Sequence, residues 1–179
     1  YREGSNNHFP FAVPMAELTG DNGLFNWEPV SMDRACQCGC GEVSREILRS
    51  DNRHRMGVFK EGYEPHSYKT WLVENVSHIL DDTLSIGSAG LLRAGAQAWV
   101  SVEVPDTITT PEGVAFRPNL LAVTSYDGSL ATTYKRVVTN VVCDNTMAAG
   151  LSESGQVYKR KHTRNSAGQL RIAEARDAL

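Results

Sequence analysis

The chain of 179 residues is 41% hydrophobic, 22% charged and 8% aromatic, which fits one globular domain and excludes collagen-like, low-complexity and wholly disordered chains. Its formal net charge is −3, so bulk charge alone argues against a nucleic-acid partner. No apolar stretch approaches the ~18 residues that cross a bilayer, so no membrane contact is expected.

Residues 1–25 hold Gly, Asn and Pro with little periodicity and read as an irregular arm ahead of a single domain over 26–179. The start, Tyr-Arg-Glu-Gly-Ser-Asn-Asn, has no basic end followed by an apolar run, so no secretory signal is expected in it. A short strand is expected at Asn26–Ser31, and the Gly- and Cys-rich stretch Asp33–Glu42 reads as a loop. Glu46–Arg49 and Met56–Lys60 read as a hairpin joined through the turn-forming Ser50-Asp51-Asn52. From Pro65 on, Leu72, Val76, Ile79, Leu80 and Thr83 recur at three- and four-residue spacing, which predicts a helix closed by Gly87–Gly90.

A strand-rich half follows. Ala98, Val100, Val102 and Val104 alternate with Trp99, Ser101 and Glu103, so Ala96–Val104 reads as a half-buried strand ended by Pro105. Asn119–Tyr126 and Leu130–Val142 read as strands joined by the Asp127-Gly128 turn. Asp144-Asn145-Thr146 is expected to cap a short helix at Met147–Leu151, with Cys143 a small buried hydrophobe. Gln156–Thr163 reads as one more strand or an extended arm, and Ala167–Leu179 as a helix capped by Asn165 or Ser166. The fold class is α+β: an antiparallel sheet built from hairpins, with helices packed on one face.

Located charge says more than total charge. Residues 1–134 carry 10 basic and 17 acidic side chains, whereas 135–179 carry 8 basic and 4 acidic ones. No acid interrupts 156–165, which holds Lys159, Arg160, Lys161, His162 and Arg164. Such a block attracts polyanions whatever the total charge; the alternative is a solvated strand edge guarded by cations.

Cys36, Cys38 and Cys40 sit in Cys-Gln-Cys-Gly-Cys with Cys143 remote, too few and too clustered for a secreted disulfide scaffold. Reduced thiols in a cytoplasm are the simpler reading. Zinc takes four nitrogen or sulfur ligands, and these three cysteines, completed by His54 or Cys143, are the metal candidate. The alternative is a Gly-flanked loop with no cofactor. Phosphate-binding, nucleophile-elbow and His-Glu-x-x-His motifs are all missing, so no catalytic residue is named and an enzyme has the least support.

The run Arg136-Val-Val-Thr-Asn-Val-Val-Cys143-Asp-Asn145-Thr146-Met resembles the core of the phage/plasmid-like family, a domain of unknown function (932). Lys161-His162-Thr163-Arg164-Asn165 and Arg171-Ile-Ala-Glu174-Ala-Arg176 resemble its closing motifs. Thr124-Ser-Tyr-Asp127-Gly128-Ser129 is similar to its turn. Asn140 and the cysteine loop depart from the pattern. The resemblance implies a gene carried by phages or plasmids, acting in a bacterial cytoplasm, and members usually continue past the position of Leu179. The order of elements also resembles Rad52-type single-strand annealing proteins.

On these grounds the expected function is single-stranded DNA binding in phage or plasmid DNA metabolism, with recombination or annealing in a ring- or filament-forming homo-oligomer. Sequence-tolerant binding needs cations along the phosphates and aromatics under the bases. Tyr134, Lys135 and Arg136, Tyr158, Lys159, Arg160 and Lys161, and then Arg164, Arg171 and Arg176 supply both. In an extended chain Tyr158, Arg160 and His162 share one face, with Lys159 and Lys161 on the other. The alternative is a phage interaction protein that acts on a host component without nucleic acid.

Overall fold

A computed structural model describes residues 12–79, 86–103 and 107–164. The helix expected over Ala167–Leu179 lies outside them. Among the described residues, ten strands form three antiparallel sheets with a few helices, an α+β fold.

The irregular arm is corrected for its described part. A short helix α1 (Met15–Thr19) buries Leu18, and Phe25 and Trp27 follow it into the core at 1% and 4% exposure. Apolar side chains in a Gly-rich segment thus act as anchors of the domain.

Strands β1 (Pro29–Ala35), β2 (Val43–Arg49) and β3 (Arg55–Lys60) form a meander. The β2–β3 hairpin is the expected one. The first strand is shifted: it runs into the supposed loop, because Asp33, Arg34 and Ala35 pair with Arg45, Ser44 and Val43.

The expected helix begins as a π-helical segment (Lys69–Glu74) that buries Trp71, Leu72 and Val73, and continues as α2 (Asn75–Ile79). Gly87–Gly90 does not close it. Those residues lie in β4 (Ile86–Leu92), where Gly90 stands opposite Trp99 of β5 (Gln97–Glu103). The indole occupies the space a β-carbon at Gly90 would need.

A small ribbon, β6 (Ile108–Thr109) with β7 (Ala115–Phe116), leads to β8 (Asn119–Ser125) and β9 (Thr132–Val137). With β10 (Val157–Arg160) they complete a five-stranded sheet in the order β10-β9-β8-β5-β4. The expected strand over Leu130–Val142 is shorter because the Glu153 carboxylate accepts the amides of Val138 and Thr139 at 2.7 and 2.9 Å. That pulls the chain off the ladder toward α3 (Asp144–Ser152).

The half-buried reading of β5 is corrected, since the sheet is covered on both sides. Ala98, Val100, Val102, Leu120, Ala122 and Tyr134 meet the π-helical segment and the meander. Trp99, Leu121, Val123 and Val137 meet Met147 of α3. A strand between two apolar layers buries both of its faces, which alternation alone does not reveal.

Candidate functional site

The basic segment is an edge strand with a pinned continuation. β10 pairs antiparallel with β9, Tyr158 opposite Tyr134 and Arg160 opposite Thr132. Beyond it, Thr163 bridges to Tyr63, and the His162 carbonyl accepts the Glu64 amide at 3.5 Å. The chain from Val157 to Arg164 therefore spans from the large sheet to the segment that follows β3.

His162 is the pin. The residue is 8% exposed, and its ring lies in a column of stacked rings in the order Phe59, Tyr63, His162, His66, Trp71. Successive centroids stand 3.7, 5.2, 4.2 and 3.8 Å apart. Its Nδ1 accepts the His66 amide at 3.3 Å, so a neutral ring carries its proton on Nε2, which donates to Thr124 Oγ1 at 2.9 Å. Thr124 and Thr132 share a 2.8 Å bond, and Thr132 reaches His66 Nδ1 at 2.7 Å. The arrangement that uses each proton once runs from His162 through both hydroxyls to His66. Burial holds both imidazoles neutral, pulling His66 down to about 3, with the neighbouring His162 adding to the effect, and His162 to about 4.

The expected binding residues divide into three groups. Tyr134 is 0% exposed and its hydroxyl donates to the Trp71 carbonyl, so it offers no face to a base. Lys135 is 4% exposed, and its ammonium donates to the Leu151 and Glu153 carbonyls at the end of α3. These two expectations are corrected: β9 is an interior strand and α3 covers its Lys135 face.

Tyr158 and Arg160 are half-buried on the face they share with Tyr134. Tyr158 Oη and Arg160 Nε are buried without a hydrogen-bond partner among the described residues. Arg136, Lys159, Lys161 and Arg164 are exposed. Arg164 lies close enough to Asp33 to help Arg45, whose hydrogen bond is the larger cause, hold that carboxyl below its ordinary value. Arg171 and Arg176 lie outside the described residues. The expected face-sharing of Tyr158, Arg160 and His162 holds, but that face points into the protein at His162.

The sequence reading missed His66, whose partner Thr132 is 66 residues away. The available signal was the β10 alternation, which places His162 on the inner face.

A second feature was also missed. Arg93, Ala94 and Gly95, between β4 and β5, all have positive φ (52°, 56° and 95°). Arg49 donates to the Ala94 carbonyl at 3.1 Å and Tyr68 to the Gly95 carbonyl at 2.9 Å, which holds the turn in this strained form. Beside it opens a cleft of about 580 Å³ lined by Arg93, Gln97, Leu130, Asp144, Met147 and Leu151 among others. Arg93 pairs with Asp127 at 3.1 Å.

The thiols separate into two kinds. Cys143 is half-buried and caps α3: its amide donates to Thr146 Oγ1 at 3.0 Å, which corrects the expected cap at Asn145. Hydrogen bonding to Thr146 holds the Cys143 thiol below its ordinary value. The sulfurs of Cys36, Cys38 and Cys40 lie within 4.8 Å of one another, and all three residues are exposed. Neither expected fourth ligand joins them. Cys143 belongs to the α3 cap, and His54 sits in the β2–β3 turn at the far end of β2, roughly 20 Å away for seven residues of strand.

A family model described as "Domain of unknown function (DUF932)" matches residues 55–179, well over half of the chain. No curated protein and no solved structure matches. The cysteine loop lies upstream of the matched residues.

Proposed function

Because the chain belongs to the DUF932 family, whose description names no activity, we propose a function from the surface its basic segment offers: the protein binds single-stranded DNA through β10 and its continuation. The proposed setting is phage or plasmid DNA metabolism, with strand annealing by a ring or filament of copies. The observation that carries the reading is the pinning of the segment. The β9 ladder, the Tyr63–Thr163 bridge and buried His162 fix a backbone from which Lys159, Lys161 and Arg164 reach solvent. Charges on a fixed backbone meet phosphates without the ordering cost of a flexible arm.

Arg160 is half-buried and its Nε is shielded from solvent, so the exposed Lys159, Lys161 and Arg164 carry the contacts. With Tyr134 buried and Tyr158 half-buried, stacking contributes little. Binding then rests mainly on phosphate contacts and is indifferent to sequence.

The test is titration of the chain with a labelled single strand over a range of salt. Each phosphate contact on a single strand contributes about 0.7 to the slope of log K against log salt. The double variant Lys159→Ala, Lys161→Ala therefore lowers the slope by about 1.4. No binding by the wild type at low salt, or an unchanged slope in the variant, defeats the reading. The alternative, an interaction protein acting on a host component, then stands.

A further inference from the structure

We infer that the β1–β2 hairpin tip is a metal site in which Cys36, Cys38 and Cys40 hold a zinc ion by three thiolates and leave the fourth position open. The inference is independent of DNA binding: the tip and the basic segment lie on different elements.

The loop is built to converge its sulfurs. Ala35 pairs with Val43, and the Cys36 amide donates to the Glu42 carbonyl at 2.8 Å, so the loop ends are closed before any ligand arrives. Alternate residues of a continuing strand would lie in a row about 7 Å apart. Instead, Gly39 and Gly41 take φ of 77° and 78°, which curls the chain. A β-carbon built on either glycine meets nothing within 4 Å, so backbone conformation and not space calls for glycine there. The curl after Cys38 returns Cys40 toward the other two: Cys36 and Cys38 bring their sulfurs to 2.7 Å, and all three lie within 4.8 Å.

Metal chemistry fits that spacing. With zinc–sulfur bonds of about 2.3 Å and tetrahedral angles, three sulfurs stand roughly 3.8 Å apart. Small side-chain rotations reach this from the positions found. Three sulfur donors with no nitrogen or carboxylate select a soft or borderline cation over magnesium or calcium. A divalent ion leaves the three-thiolate site with net charge −1, whereas copper(I) leaves −2, so zinc is the better match at an exposed tip. Three protein ligands leave the fourth position for water or an added small thiol. Binding deprotonates the three thiols and releases three protons to solvent.

The test uses the full chain, reduced and held without oxygen. Titration with Zn²⁺ is followed by counting thiols that react with a thiol reagent, and Cd²⁺ serves as an optical probe through its thiolate charge-transfer band. The three loop cysteines are exposed, so the expected result is one metal per chain and a fall of three in the number of reactive thiols. Cys143→Ser keeps the site. Cys38→Ser removes protection of the other two loop thiols, and its exposed position leaves the fold intact. Adding a free thiol to the Cd²⁺ form adds a fourth thiolate contribution to the band. No stoichiometric metal, no fall in reactive thiols with metal present, or loss of the site in Cys143→Ser each overturns the assignment. A band that ignores the added thiol overturns the open position.

Discussion

Acidification from pH 7 to pH 5 is expected to remove a large part of the stability through His66 and His162 alone. Both rings are neutral in the fold, with folded values of about 3 and about 4 against about 6.5 when unfolded. The unfolded chain therefore binds more protons between these values, so stability is full above about pH 6.5 and falls as pH drops below it. At pH 5 each unfolded imidazole gains about 2 kcal/mol from protonation that the folded ring cannot take, and the pair together roughly 3–4 kcal/mol. Geometry supplies the reason: protonated His162 has no lone pair on Nδ1 for the His66 amide.

Carboxylates with depressed values, Asp33, Asp51, Asp127 and Glu153, act with the same sign but in a lower window, because their ordinary values are 3.8 and 4.5. The assay is urea unfolding followed by tryptophan fluorescence at pH 7 and pH 5. With a slope near 2 kcal/mol/M, the midpoint falls by roughly 1.5–2 M. His162→Leu loses about half of the pH difference whatever its stability at pH 7. A wild-type loss below about 1 kcal/mol, or a full loss in His162→Leu, refutes the buried neutral pair.

Gly90→Ala drives a β-carbon into the Trp99 ring and is expected to cost about 1–3 kcal/mol or more, read as a lowered urea midpoint. Thr146→Ala removes the oxygen that accepts the Val142 and Cys143 amides and costs about 1–2 kcal/mol, while Asn145→Ala stays within about 0.5 kcal/mol. Calorimetry of the two variants compares them directly. Lys135→Met leaves the Leu151 and Glu153 carbonyls without their ammonium donor and costs about 1–3 kcal/mol, with the salt slope of DNA binding unchanged. A weaker slope in that variant would return Lys135 to the binding surface.

Local pattern was enough for the β2–β3 hairpin and the strand pair around Asp127-Gly128, but not for α1, β4 or the β6–β7 ribbon. Turn residues and alternating apolar side chains act over a few positions, and their physics is complete within them. The close sulfur spacing of Cys-Gln-Cys-Gly-Cys was legible for the same reason. What lay beyond reach was decided by contacts between distant segments. Glu153 ended β9 by taking the amides of Val138 and Thr139, and α3 turned Lys135 from a surface cation into a buried donor. Tyr134 and Tyr158 look alike in sequence, yet an interior strand buries one completely and an edge strand leaves the other half-covered. His162, written among four cations, reads as one more basic residue. Only the approach of Tyr63, His66, Thr124 and Thr132 from three other parts of the chain makes it a neutral core ring. The charge of a residue type belongs to the sequence; whether water remains to support that charge is a property of the packed fold.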